Sequence, residues 1–183
     1  MGEIVSAASR GRAAQRYSDF LYEAQVAAMA TLETAVAPFR LTVITRAAVE
    51  AWKTHWKPIN NRELPDGGWD WEAIRQEYRN DHKRFELAIW GENEELCGLA
   101  IGTRNKTAAR LDAIEGSPSD SHPLKGQILL IGLQALSCYA QKTGRAEAWL
   151  MEPVEGLVEI YEQDFGFTLE RPRKSAPYCR RRV

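Results

Sequence analysis

Hydrophobic and polar positions change period several times along the chain, and each change marks an element. From Ala13 to Ala37, Tyr17, Phe20, Leu21, Ala24, Ala28 and Leu32 fall at helical spacing with no proline between them, which predicts one long helix. Pro38 stops it. Phe39-Arg40-Leu41-Thr42-Val43-Ile44 then alternates as a strand, and Thr45 is placed to cap a helix running to about Trp56. Pro58, Asn60-Asn61 and Pro65-Asp66-Gly67-Gly68 punctuate a loop, and a short helix from Trp71 to about Asn80 follows.

Phe85–Trp90 and Leu96–Ile101 read as two strands of an antiparallel hairpin around the turn Gly91-Glu92-Asn93-Glu94. Ala109–Ile114 alternates as a third strand. A polar loop from Gly116 to Pro123 leads into a helix from about Gly126 to Lys142, closed by Gly144. This helix begins apolar nearly all round, so it is expected to lie buried against a sheet. Ala146–Met151 is the next strand, Pro153 opens a helix ending near Phe165-Gly166-Phe167, and short strands are expected near Thr168–Arg171 and Tyr178–Arg182. The order describes one α+β domain with the first helix as an added layer.

Composition narrows the function classes. The 183 residues are 44% hydrophobic and 27% charged, normal for a globular domain and unlike a disordered chain. The longest apolar run, Ile128–Leu133, is far short of a membrane span, and no secretory signal pattern is visible. Met1-Gly2-Glu3-Ile4-Val5-Ser6 formally fits a myristoylation pattern, and coincidence is the preferred reading. Cys97, Cys138 and Cys179 form no metal-ligand spacing with each other or with the three histidines, so reduced thiols in a cytoplasmic protein and no metal site are expected.

The formal charge of −1 rules out a globally basic nucleic-acid binder, but it is a sum of opposites. Residues 146–170 carry seven acids and no base, and residues 171–183 carry six bases and no acid. Two readings remain open at this point. Either Arg180, Arg181 and Arg182 hold a nucleic-acid backbone, or they sit in a final strand and pair with the acidic stretch, which is preferred.

The element order from Phe39 to Val183 resembles the GNAT acyltransferase superfamily, and one local motif is similar to that family's fourth-helix signature. It is Leu157-Val158-Glu159-Ile160-Tyr161-Glu162-Gln163-Asp164-Phe165-Gly166-Phe167, a tyrosine and acids before Gly-Phe, with one residue more than the commoner spacing. Pro123-Leu124-Lys125-Gly126-Gln127-Ile128 stands where the family has a phosphate-binding turn; Gly126 matches its first glycine, and Pro123 and Ile128 depart from it. The resemblance implies a GNAT-like central mixed sheet flanked by helices, residues 1–37 being a helical extension and 38–183 the acyltransferase domain.

The resemblance also implies a reaction, N-acetylation of a small-molecule or peptide amine by acetyl-CoA through direct attack in a ternary complex. By it, Ile114, Glu115, Lys125, Gly126, Gln127 and Ile128 would hold the co-substrate, and Tyr161 would be the acid beside its sulfur. Glu115 and Glu152, at the ends of the two strands flanking the long helix, are candidate bases. His122, in the polar loop, is expected to be simply exposed. Trp52, Trp56, Trp69 and Trp71 are expected either as an aromatic wall on the acceptor side or as core packing, with equal weight. Glu147, Glu152 and Glu155 would favour a cationic amine. The first helix offers a homodimer surface. The alternatives are a non-catalytic effector on the same fold, and a nucleic-acid-modifying member using the basic tail.

Overall fold

The computed structural model describes residues 2–64 and 67–183, with the backbone alone at 2–10 and at Ala13. The myristoylation-like start at Met1 and the Pro65-Asp66 part of the loop lie outside the described residues.

Seven strands form one sheet among the described residues: β1 (Phe39–Thr42), β2 (Phe85–Gly91), β3 (Leu96–Arg104), β4 (Ala108–Gly116), β5 (Glu147–Met151), β6 (Thr168–Glu170) and β7 (Tyr178–Arg182). Their order is β1-β2-β3-β4-β5-β7-β6. Of these neighbours β4 and β5 pair in parallel, and the other pairs are antiparallel. A parallel pair needs a crossover, and α4 (Ile128–Lys142) supplies it.

Helices cover both faces. One carries α4 and α5 (Val158–Gln163), with α1 (Gly2–Leu32) stacked on α4. The other carries α2 (Arg46–Ala51), the π-wound turn Trp52–Trp56 that continues it, and α3 (Trp71–Tyr78). Thr45 caps α2 by accepting from the Ala48 amide at 3.3 Å, and Asp70 caps α3 by accepting from Ala73 at 3.0 Å.

The first helix differs from its expected span. It starts at Gly2, because the alanine-rich segment ahead of Ala13 contains no proline to break it, and it ends at Leu32 rather than Ala37. The Leu32 carbonyl accepts from both Ala35 and Val36, so the chain turns early enough to bury Val36 and lead into β1. Tyr17, Leu21, Ala24, Ala28 and Leu32 pack into the same core as α4. That explains why α4 is apolar nearly all round: it lies between the sheet and α1. The inward face of α1 therefore serves its own chain and is not available as the expected homodimer surface, while Tyr22 and Val26 stay exposed on the helix.

The basic C-terminal stretch is also settled by packing. Arg180 Nε is 2.8 Å from Glu170, and its Nη1 is 3.4 Å from Glu147. Arg181 donates to the Phe165 carbonyl at 2.9 Å and to Ser137 Oγ at 2.5 Å, with its guanidinium 5.0 Å from the Phe167 ring. Arg182 alone of the three is exposed. The expected nucleic-acid track through Arg180, Arg181 and Arg182 is thus not formed; the preferred pairing with the acidic stretch is.

Register decides what happens in the middle of the sheet. Ile101 pairs with Ala113 and Gly102 with Leu111, so Asp112 is an extra residue, a bulge in β4. The strand closes tightly there, because a Cβ on Gly102 would lie 1.9 Å from the Arg110 carbonyl oxygen. Gly102→Ala is expected to destabilise the fold by about 3 kcal/mol, the upper part of the range for overpacking, as measured by urea denaturation. All three cysteines are free and buried, and burial pushes the Cys97 and Cys179 thiols up to about 11. A thiol-reactive disulfide reagent at pH 8 is expected to label them only as fast as the protein opens, and stoichiometrically in denaturant.

Candidate active site

The two parallel strands stay together for four residues and then part. β4 pairs with β5 from Ala108–Glu147 to Leu111–Leu150, and beyond that Asp112–Gly116 continue along β3 alone. The β5 chain leaves in the opposite sense. Glu152 takes φ +45°, a left-handed turn that a non-glycine residue adopts at a cost, and its amide donates to the Pro177 carbonyl at 2.9 Å. Between the strands lies a cleft of about 350 Å³. The β5-facing backbone groups of the free half of β4 have no strand partner there, so they are available to a ligand.

The bulge sets which side chains face which side. Leu111 and Ile114 belong to the core under α4, whereas Ala113 packs with α2 and α3, and Asp112 and Glu115 bond residues on the α3 side. Two neighbours, Asp112 and Ala113, thus share a face, and every later residue of β4 is turned over relative to regular alternation. Ile114 is thereby directed onto Gly132 of α4, and it borders the cleft.

At the floor of the cleft α4 begins. The first turn of a helix has amides without intrahelical partners, and here the first such bond is made by Ile131 to Gln127. Gly126 precedes them at φ +78°, with nothing within 4 Å of where a Cβ would be, so the backbone is both glycine-specific and unobstructed. Ile128 turns its bulk inward, against Gly98 and Gly116, rather than across the turn. Lys125 is exposed and ion-paired with Asp120 at 2.5 Å. Gln127 accepts from the Ala37 amide at 3.2 Å, which ties the turn to the α1–β1 connection.

Tyr161 reaches the cleft from α5. It is 5% exposed. Burial pushes its pKa up to about 12. The additional residue before Gly166 is absorbed by a wide closure in which the Phe167 amide donates to the Tyr161 carbonyl at 3.0 Å, with Gly166 at φ +67°.

No family model matches the sequence, and neither does any curated protein. Solved structures do match. A point mutant of spermidine N-acetyltransferase SpeG from Vibrio cholerae superposes with TM-score 0.53 at 16% identity, over 79% of this chain and 92% of that one. PaiA N-acetyltransferase from Thermoplasma acidophilum, in complex with coenzyme A, gives 0.52 at 16%, over 80% and 99%. The Vibrio cholerae spermidine N-acetyltransferase in complex with CoA and spermine gives 0.52 at 14%, over 79% and 94%. The chain has the GNAT fold.

On this GNAT sheet the sequence-derived residues divide. Tyr161, Ile114, Ile128 and Glu152 border one cleft, and Gly126 lies in the turn that leads into α4 from the same side of the fold. Glu152 is exposed. Glu115 is a different case, because its carboxylate is buried and already occupied. Its Oε1 accepts from Asn60 Nδ2 at 2.8 Å, Arg62 Nη2 at 3.0 Å and the Gly68 amide at 2.8 Å, and its Oε2 accepts from Trp71 Nε1 at 2.6 Å. A carboxylate so held cannot take a proton from substrate without giving up its anchors. It clamps the loop before α3 onto the end of β4, and that anchoring, rather than catalysis as a base, is what its surroundings support.

For the tryptophans the core-packing alternative holds at three of the four positions, and the expected exposure of His122 is corrected. Trp52, Trp56 and Trp71 are core residues, and of the four only Trp69 borders the cleft, so there is no four-tryptophan wall. His122 is buried rather than exposed, its Nδ1 lacks a partner among the described residues, and burial lowers its pKa. Asp112 was not legible as a site residue, since nothing in an alternating strand marks a bulge. Removing the clamp with Glu115→Ala takes the acceptor from four donors, of which Arg62 keeps the Gly116 carbonyl, and is expected to cost about 3–5 kcal/mol. Limited proteolysis should then cut first within residues 60–70.

Proposed function

We propose that this protein is an acetyl-CoA-dependent N-acetyltransferase that moves the acetyl group to a primary amine in a ternary complex. The observation that carries the reading is the parted β4–β5 pair, with Tyr161 reaching its cleft and Gly126 leading into the amides of α4. The fold neighbours crystallised with CoA support the same class.

The residues present fit such a co-substrate. The amides of the first turn of α4, opened by Gly126, would face its pyrophosphate, where a helix N-terminus favours negative charge. The β5-facing backbone groups of Asp112–Gly116, which have no strand partner, would hydrogen-bond the pantetheine arm. When bound, acetyl-CoA supplies an acyl carbon activated by a thiol leaving group. The protein's part is positioning, proton transfer and exclusion of water.

The amine nitrogen forms a bond to the acyl carbon, the carbon–sulfur bond breaks, and the amine loses a proton. Tyr161 Oη stays protonated at neutral pH because burial disfavours the phenolate, so it can donate to the departing sulfur. Asp112 borders the cleft on the α3 side and Glu152 stands exposed at its rim, and either passes the amine's proton to solvent. Glu115 acts as a positioning residue, by holding the loop that carries Trp69.

Calorimetric titration is expected to show acetyl-CoA binding. Gly126→Glu should weaken it at least about tenfold, since a left-handed backbone costs about 1–2 kcal/mol without glycine and the carboxylate meets the pyrophosphate. Gly126→Ala should weaken it less. No binding to the parent protein at millimolar acetyl-CoA would sink the proposal. Tyr161→Phe should lower turnover about a hundredfold, a usual size for general acid catalysis, with acetyl-CoA affinity unchanged. Because the phenol sits near 12, no alkaline loss of rate below about pH 10 should trace to Tyr161.

A further inference from the structure

Resting on the transferase reading above, we infer that the acceptor is a primary monoamine carried on an aromatic or apolar skeleton, with its ring against Trp69 and its amino group at Asp112.

The charge at the acceptor side carries the first half. The carboxylates bordering the cleft are Asp112, tied to α3 through Tyr78, and Glu152, exposed at the rim. Asp112 Oδ1 is 3.1 Å from Arg110 Nη2, and its Oδ2 accepts from the Tyr78 hydroxyl at 2.8 Å. A carboxylate has about four acceptor positions, so Asp112 retains room for one more donor. Its negative charge, however, is offset by Arg110. With Asp112 offset by Arg110, Glu152 is the one carboxylate among the described cleft residues without an ion pair, so the site can orient a single amino group but lacks the several unpaired acids that a chain of ammonium groups would need. Glu147, the next acid on the open face, is itself held by Arg180 at 3.4 Å and by Trp149 Nε1 at 2.6 Å.

Apolar surface carries the second half. Trp69 is half-buried, packed on the core under α3 along one side and bordering the cleft on the other. Met151 borders the cleft opposite it, on β5. The helices α2 and α3 cover β2, β3 and β4 on this face, and among the described residues no helix lies over β5 and β7. There Trp149 and Tyr178 stack with ring centroids 4.5 Å apart at 26°, both half-exposed, directly beside Met151 in the strand register. An aromatic or branched apolar body entering between Trp69 and Met151 would bury surface that water otherwise covers. A polyammonium chain could lay a charge over one of these rings, but it would leave the apolar walls at Met151 and Trp69 largely unburied.

Acetyl transfer to 2-phenylethylamine and to spermidine, followed by release of the CoA thiol at saturating acetyl-CoA, tests this. The expected kcat/KM is at least about tenfold higher for 2-phenylethylamine, the factor a buried apolar group of modest size supplies. Trp69→Ala should raise KM for 2-phenylethylamine about tenfold, with kcat and the acetyl-CoA dissociation constant little changed, and Trp69→Phe should restore most of the loss. Independently of turnover, 2-phenylethylamine added to the CoA-bound protein should change tryptophan fluorescence, and Trp69→Phe should remove that change. A preference for spermidine, or a Trp69→Ala variant with unaltered KM, overturns the inference. Transfer to neither amine while acetyl-CoA binds also overturns it and leaves the co-substrate reading standing. Absence of acetyl-CoA binding removes both.

Discussion

The cleft exists because β4 hydrogen-bonds β5 over only four residues while β3 holds it over its whole length. A parallel pair that separates leaves unpaired backbone on its inner edges, and buried backbone polar groups demand partners. Here the gap is kept open from both sides. The bulge at Asp112 changes the twist and facing of β4, and the left-handed turn at Glu152 takes the other chain away to pair with Pro177. The crossover helix that any parallel pair requires then has its N-terminus at the base of the gap. Cleft geometry and sheet topology are therefore one constraint.

On the opposite face the loop before α3 hangs on one carboxylate. Asn60, Arg62, Gly68 and Trp71 all donate to Glu115, so the loop's position depends on the end of β4, which the bulge orients. This couples the two sides of the cleft: the same register slip that directs Ile114 toward α4 directs Glu115 toward the loop that brings Trp69 to the cleft. A buried carboxylate and its donors, taken together, contribute little net stability relative to a well-packed apolar cluster, but they specify where the loop lies.

Much of the fold was legible. The hairpin of β2 and β3, the cap at Thr45, and the apolar run of α4 each follow from local chemistry, and the structure keeps them. The long first helix was legible in kind but not in extent, because alanine-rich helix without an apolar stripe has no periodic signal. Its role could not be read either: that Tyr17 to Leu32 cover α4 is a fact about two segments far apart in the chain. Tyr161 and Gly126 were legible through motif resemblance and local geometry. Trp52, Trp56 and Trp71 were not distinguishable from Trp69, since composition does not say which face of a loop or helix is buried.

By itself the sequence determined the element order, the glycine turn ahead of α4 and the polarity of the C-terminal third, because these depend on neighbours a few residues apart; the mixed sheet was implied only by the family resemblance. Tertiary structure decided the rest. It turned Glu115 from a candidate base into an anchor, closed Arg180 and Arg181 into internal pairs, and brought Asp112 into the cleft. Each of these depends on strand register, and a one-residue offset in register exchanges the two faces of a strand. No local pattern encodes that offset; it is set where β3, β4 and β5 meet.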